Sequence, residues 1–245
     1  MIIHAAARTP VSADAGTTAY VRSNALGSVG VAEFARRSHA TYVIYLSSTS
    51  VYGEVEEDVL TEETPFRRPD AYGASKYMGE VALAEKTPSD RLLVLRLPGV
   101  LVPDNYTPWP GRVLRLAAEG RPIEVYNPGA LFNNVTDVDD LTRFIRTAVN
   151  SAQRPAGTFL VGSSAPVPVR RVAGLLRDLS GSTSKIREIH SPRHSFTIAV
   201  DKLRADAGFI PSSTEDIISR YVRSSRRGPA GRQVVERPRM ARAPK

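Results

Sequence analysis

The sequence has no cysteine among its 245 residues. That excludes disulfides, thiol nucleophiles and cysteine-ligated metal centres, and it fits a cytoplasmic protein. Long apolar runs are also missing. The best of them, Leu92–Val102, is interrupted by Arg96. A membrane-spanning helix needs about 20 apolar residues, so no membrane partner is expected. Met1–Ala7 is apolar but lacks the basic leader and the cleavage pattern of a signal peptide. Histidine is scarce. His190 and His194 have the i, i+4 spacing of a two-histidine metal site, but Pro192 between them breaks the helix such a site uses. Asp137, Asp139 and Asp140 cluster with no His or Cys beside them. Capping and the helix dipole account for carboxylates in a first helical turn. No metal site is expected.

Charge of one sign is in excess but unevenly spread. The formal net charge is +8. Residues 226–245 hold seven Arg or Lys and one Glu, which leaves 26 basic and 24 acidic residues in the remainder. The basic character thus belongs mainly to a segment rich in Arg, Pro and Gly with little apolar surface to bury. Such a segment cannot offset its ordering entropy and is expected to be disordered. No specific nucleic-acid partner is implied.

The body of the chain alternates strand and helix signals. Ile2–Ala6 is a continuous apolar run, as in a strand buried on both faces. Thr17–Arg37 has apolar residues at helical spacing. Tyr42–Leu46 is the next buried strand, with Ser47 opening its loop. Glu54–Pro69 reads as an acidic surface loop. Asp70 is an N-cap for a helix running to about Lys86. Arg91–Leu97 is a third buried strand. This order predicts an α/β parallel sheet. Past Gly99 the pattern changes. Pro103–Gly111 reads as irregular, followed by a helix at Val113–Ala118 and a short strand at Ile123–Val125. Thr136-Asp137 with Asp140 forms a capping box for a helix to about Val149. A strand at Thr158–Val161, a helix at Val167–Leu179 ending near Gly181, a strand at Lys185–Ile189 and a helix from Ser212-Ser213 to about Arg223 complete the expected elements. The division expected is 1–100 for the catalytic part of a sheet domain, 101–225 mainly for a substrate lobe with returning sheet elements, and 226–245 for the basic segment.

Tyr72 and Lys76 stand four residues apart in Asp-Ala-Tyr-Gly-Ala-Ser-Lys, and Ser47-Ser48-Thr49-Ser50-Val51-Tyr52-Gly53 precedes them. Positions i and i+4 share a helix face, so phenol and ammonium can reach one site. A nearby cation favours phenolate and moves a tyrosine toward acid–base chemistry. A serine hydroxyl at a strand end can hold the reacting oxygen while the proton moves.

Together these residues resemble the NAD-dependent epimerase/dehydratase family, the extended short-chain dehydrogenases/reductases. Further segments agree in order over roughly residues 1–222. Ile2-Ile3-His4-Ala5-Ala6-Ala7 is similar to the family's fourth strand, and Asn24-Ala25-Leu26-Gly27-Ser28 to its Asn-x-x-Gly-Thr helix. Leu95-Arg96-Leu97-Pro98-Gly99-Val100 resembles the strand after the catalytic helix. Asn134–Leu141 resembles the Val-x-Asp-Leu element, and Ala207-Gly208-Phe209-Ile210-Pro211 the late Leu-Gly-Phe-x-Pro. One element has no counterpart. The family opens with a strand, a Gly-x-x-Gly-x-x-Gly turn and a helix that receive the cofactor pyrophosphate; Gly27 and Gly30 lie in a helical stretch and do not replace it. The resemblance therefore implies a partial doubly wound parallel, Rossmann-like sheet missing its first strands, with a smaller C-terminal substrate lobe.

The implied activity is NAD- or NADP-dependent redox chemistry or epimerisation on a nucleotide-sugar or related alcohol. Tyr72 would take the hydroxyl proton, Lys76 would lower the tyrosine pKa and hold the nicotinamide ribose, and Ser48 would bond the reacting oxygen. Ala5, Ala6, Asn24, Ser47, Leu97 and Val100 would line the cofactor side, and Thr49, Ser50 and Gly99 the substrate side. Sugar 4,6-dehydratases of the family carry Asp-Glu where Thr49-Ser50 stand here, which disfavours dehydration. Two placements stay open on the residues alone: Asn24 as a core amide or a site organiser, and His4 as a structural histidine or an acid–base group. The alternatives to an enzyme are an inactive remnant or a nucleotide-sugar-binding module of the same fold, and a misplaced start codon would explain the absent turn. A homodimer is compatible with the resemblance.

Overall fold

The computed structural model describes residues 1–10 and 16–226. The segment expected to be disordered, 226–245, lies outside the described residues apart from Arg226.

Four parallel strands form the central sheet in the order β1 (Ile2–His4), β2 (Val43–Ser48), β4 (Leu92–Leu97), β9 (Gly157–Leu160). Ile2 pairs with Val43, Val43 with Leu92, and Leu93 with Gly157. Every residue of β4 is buried, as parallel strands covered on both faces require. One face packs Val43, Tyr45 and Val94 against Ala32 and Ala35 of α2 (Gly27–Arg37) and Leu83 of α3 (Ala71–Lys86). The other packs Ile44, Leu93 and Leu95 against Leu141 and Phe144 of α5 (Val138–Asn150) and Leu203 of α7 (Asp201–Ala207). Three layers, α/β/α, result.

The Thr17–Arg37 helix is continuous but not uniform. Between α1 (Thr17–Tyr20) and α2, residues Val21–Leu26 wind as a π-helix. Helix α3 begins where expected: Asp70 accepts a hydrogen bond from the Gly73 N–H at 2.7 Å, a cap worth about 1 kcal/mol. It ends at Thr87, because Pro88 turns the preceding residue away from helical geometry. Asp137 caps α5 in the same way through the Asp140 N–H.

A second core lies beyond Leu101. Helices α4 (Trp109–Ala118), α6 (Val169–Ser180) and α8 (Thr214–Arg226) enclose Val113, Leu114, Val172, Leu176, Ile217 and Tyr221. Short pairs edge it: β5 (Gly99–Leu101) with β8 (Val135–Asp137), β6 (Ile123–Tyr126) with β11 (Ile186–Ile189), and β7 (Leu131–Phe132) with β10 (Val167–Pro168). A further pair joins β3 (Val59–Leu60) to β12 (Thr197–Ile198).

Several expectations shift. Strand β1 stops at His4, so Ala5 and Ala6 lie beyond it. Ser47 is in β2 rather than in the loop, paired across from Arg96. The Glu54–Pro69 loop contains β3. Helix α4 starts at Trp109, four residues before the expected start, because Pro110 falls in its first turn, where a missing N–H costs nothing.

Candidate active site

Strand β2 ends at Ser48, and the chain turns at once into a 3₁₀ segment, Thr49–Tyr52. The Ser48 hydroxyl caps that segment: it accepts from the Ser50 N–H and donates to Ser50 Oγ, both at 3.1 Å. Helix α3 comes in against this turn at Gly73, where any Cβ would run into the Ser50 carbonyl. A glycine between Tyr72 and Lys76 is thus what lets the helix approach the serine turn.

Ser48, Tyr72 and Lys76 meet in one cleft of about 410 Å³ at the C-terminal ends of β1, β2 and β4. Open α/β sheets bind ligands at that end, and the volume suits a small-molecule site. The Ser48 hydroxyl and the Tyr72 phenol line the same cleft. Burial raises the Tyr72 pKa, and the Ser48 hydroxyl works against that rise. Tyr20 packs edge-on against the Tyr72 ring with centroids 5.7 Å apart.

Lys76 is almost wholly buried. Burial draws its pKa down to about 8, against an opposing pull from Glu80. It is still an ammonium at neutral pH. Its Nζ lies 4.2 Å from the centre of the Tyr45 ring, and among the described residues no acceptor takes its N–H groups. Burial is the largest influence on the phenol, with Asp70 and Tyr20 adding to the rise. At neutral pH the cleft thus holds a neutral phenol and a cation.

Asn24 lies in the π-helical stretch, a feature frequent at functional sites. Its amide accepts from the Arg8 N–H at 2.7 Å and donates to the Arg8 carbonyl and to Ser75 Oγ, each at 3.0 Å. Ser75 in turn donates to the Tyr72 carbonyl at 2.7 Å. Asn24 therefore ties the chain after β1 to the helix turn that carries Tyr72, and it does not itself line the cleft. His4 is buried and bonded to Ser28 Oγ at 2.9 Å, with its pKa lowered by burial and by Lys76.

Ala5, Ser47, Leu97 and Val100 line the cleft, as do Ala7 and Thr9. Ala6, Thr49, Ser50 and Gly99 are not in the lining. Gly99 acts on its shape, since a Cβ there would press on Pro108 at 3.2 Å. Pro108, Thr107 and Asn105 form the wall that the sequence reading missed. They lie in the aperiodic stretch after β5, and no local pattern marks them.

A buried network underlies the serine strand. Glu80, one turn after Lys76, accepts from Ser47 Oγ at 2.5 Å and from Arg96 Nε and Nη2 at 3.1 and 2.7 Å. Arg96 also donates to Tyr52 Oη at 2.7 Å, and the Tyr52 and Phe66 rings flank its guanidinium.

Residues 1–162 match the family described as "NAD dependent epimerase/dehydratase family". The chain belongs to that family. Among similar family proteins, the dTDP-glucose 4,6-dehydratase of Streptomyces niveus is 27% identical over 222 residues, covering 86% of this chain and 65% of that protein. UDP-glucuronate 4-epimerase 6 of Arabidopsis thaliana is 27% identical over 218 residues, covering 79% and 46%. The chain thus spans less than two thirds of the length of either relative. In fold it is similar to the Bordetella bronchiseptica enzyme WbmG, solved in complex with NAD and UDP, with a TM-score of 0.78 at 18% identity over 92% of this chain and 72% of that one. It is also similar to UDP-glucuronic acid 4-epimerase from Bacillus cereus in complex with NAD, with a TM-score of 0.73 at 19% identity over 91% and 74%. No helix among the described residues is long and apolar enough to cross a membrane.

Proposed function

We propose that the protein is an NAD(P)-dependent epimerase or oxidoreductase acting on a nucleotide-sugar or related alcohol through Ser48, Tyr72 and Lys76. The observation that carries this reading is their convergence in one cleft at the C-terminal ends of parallel strands. Similarity to nucleotide-sugar epimerases and dehydratases supports that substrate class. We assign residues 101–225 mainly to substrate binding.

The cleft fits the nicotinamide half of a dinucleotide. Lys76 offers unspent N–H donors that ribose hydroxyls can accept, and the small side chains of Ala5 and Ala7 leave room at the end of β1. A nicotinamide bound there would exchange a hydride with the substrate carbon. Tyr72 moves the hydroxyl proton, Ser48 holds the reacting oxygen, and Lys76 adds positive charge beside both. The described residues lining the cleft include no carboxylate to move protons at neighbouring carbons. Epimerisation or simple redox is therefore favoured over dehydration.

The test is saturation-transfer NMR with NAD and UDP-glucuronic acid as probes. Nicotinamide-ring protons should receive saturation from the wild-type protein and lose it in Lys76→Met. No transfer, or transfer unchanged in the variant, would overturn the reading. Transfer without any Tyr72-dependent turnover would mark a binding module instead.

The packed helices α2 and α3, with Leu26 just before α2, leave Leu26, Val29, Phe34, Met78 and Val81 exposed. We propose that a second copy of the chain covers them. Analytical ultracentrifugation at micromolar concentration should give twice the 26.7 kDa of one chain; a monomer would remove the proposal.

A further inference from the structure

Tyr45 lies in β2, three residues before Ser48, and is fully buried on the sheet face covered by α2 and α3. The Lys76 ammonium sits over its ring, 4.2 Å from the centre. The ring is held from several sides. Its Oη donates to the Lys76 carbonyl at 3.3 Å, and it stands with Ser28 Oγ over Gly79. Ser28 Oγ is bonded in turn to His4 Nε2, and the His4 ring tilts against Tyr45 with centroids 5.1 Å apart. Gly79 completes the arrangement. A Cβ there would collide with Tyr45 Oη and stand 2.7 Å from Ser28 Oγ. Tyr45, Ser28, His4 and Gly79 come from β2, α2, β1 and α3, and none belongs to the Ser-Tyr-Lys set.

We propose that Tyr45 is a positioning residue of the site: its ring face stands in for water beneath the Lys76 ammonium and fixes that ammonium at the floor of the cleft, with His4 and Ser28 holding the ring. An ammonium taken out of water loses its hydration, and a ring face restores part of it, most effectively where the surroundings are dry. The groups facing Lys76 suit this. Burial raises the Tyr45 pKa, so the phenol stays neutral and acts through its ring face. His4, lowered by burial and by Lys76 itself, adds no competing positive charge at neutral pH. The Glu80 carboxylate helps keep Lys76 charged but is already bonded to Arg96 and Ser47. Tyr72, one turn earlier on α3, is a neutral phenol at the cleft.

The importance of Tyr45 for catalysis rests on the enzymatic reading above; its contact with Lys76 does not, and the test separates the two. The chain has five lysines, few enough to follow by NMR of protein labelled at lysine ¹³Cε, with Lys76 identified by its loss in Lys76→Met. In the wild type, Lys76 should titrate near 8, and the Tyr45 ring current should move its ε-methylene protons upfield of the other lysines. Tyr45→Phe, which keeps the ring face, should preserve both. Tyr45→Leu should abolish the upfield shift and lower the titration midpoint by about one pH unit. An ordinary ε-methylene position in the wild type would overturn the proposal, and so would a Tyr45→Leu midpoint equal to that of wild type. If Tyr45→Leu does not fold, the ring-current shift in the wild type and in Tyr45→Phe decides alone. No substrate or cofactor enters either measurement, so an inactive protein leaves this result intact.

Discussion

Tyr72→Phe should slow alcohol–carbonyl interconversion by about 10²–10⁴-fold, the range set by a positioned acid–base group, while NAD binding stays within a few-fold of wild type. The change removes one oxygen and little else. The phenyl ring can keep its edge-on contact with Tyr20, and Asp70 still caps the helix. The lost atom is the phenol oxygen, the proposed proton carrier in the cleft. Burial holds the wild-type phenol protonated at neutral pH, so in carbonyl reduction it can give its proton directly to the forming alkoxide. Lys76 beside it is charged below a pH of about 8 and favours the phenolate left behind. With Phe, the alkoxide has only Ser48 to bond and no acid to neutralise it. The measurement is conversion of a UDP- or dTDP-sugar, followed by NMR of the sugar for epimerisation and through NADH for net redox, with calorimetry for the cofactor. Wild-type turnover in the Phe variant would remove Tyr72 from the proton path, and a parallel collapse of NAD binding would make its role structural.

The placement of that tyrosine was legible because local rules agree on it. Asp70 is a good cap, Ala71–Lys86 is rich in helix formers, and Pro88 supplies the stop. Asp137 before α5 and Gly181 after α6, the latter at a positive φ of 72°, are equally local signals. What escaped was set by distant partners. Strand β5 is three residues long and follows Pro98, and it exists because β8 pairs with it. Helix α7 is seven residues, too short to show a period, and is held by Leu203 in the core. In the cleft, Tyr72 and Lys76 could be paired from their i, i+4 spacing and Ser48 from the family resemblance, whereas Asn105, Thr107 and Pro108 reach it from a loop without pattern. Tyr45 was hidden differently. A strand buried on both faces is apolar throughout, so the sequence does not single out the residue that meets Lys76. Arg96 was visible only as a break in an apolar run, with its partner Glu80 sixteen residues away on a helix.

That break gives the largest expected change in stability. Glu80 and Arg96 each keep about 8% of their side-chain surface exposed and meet through two hydrogen bonds. Removing one partner of a buried pair leaves an uncompensated charge and costs about 3–5 kcal/mol, a large part of the 5–15 kcal/mol typical of a domain. The two single variants should differ. In Glu80→Leu the stranded group is a guanidinium, which stays protonated in proteins, and Ser47 loses its acceptor as well. In Arg96→Met the stranded group is a carboxyl, which can take up a proton and become neutral. Glu80→Leu should therefore have the lower urea midpoint, and only Arg96→Met should recover as pH falls toward 5. The double variant Glu80→Leu/Arg96→Met buries no charge and should be more stable than Glu80→Leu alone, with a coupling of about 2–3 kcal/mol in the double-mutant cycle. Additive losses, or a Glu80→Leu cost below about 1 kcal/mol, would show that water reaches the pair and that the charge beneath the serine strand is solvated.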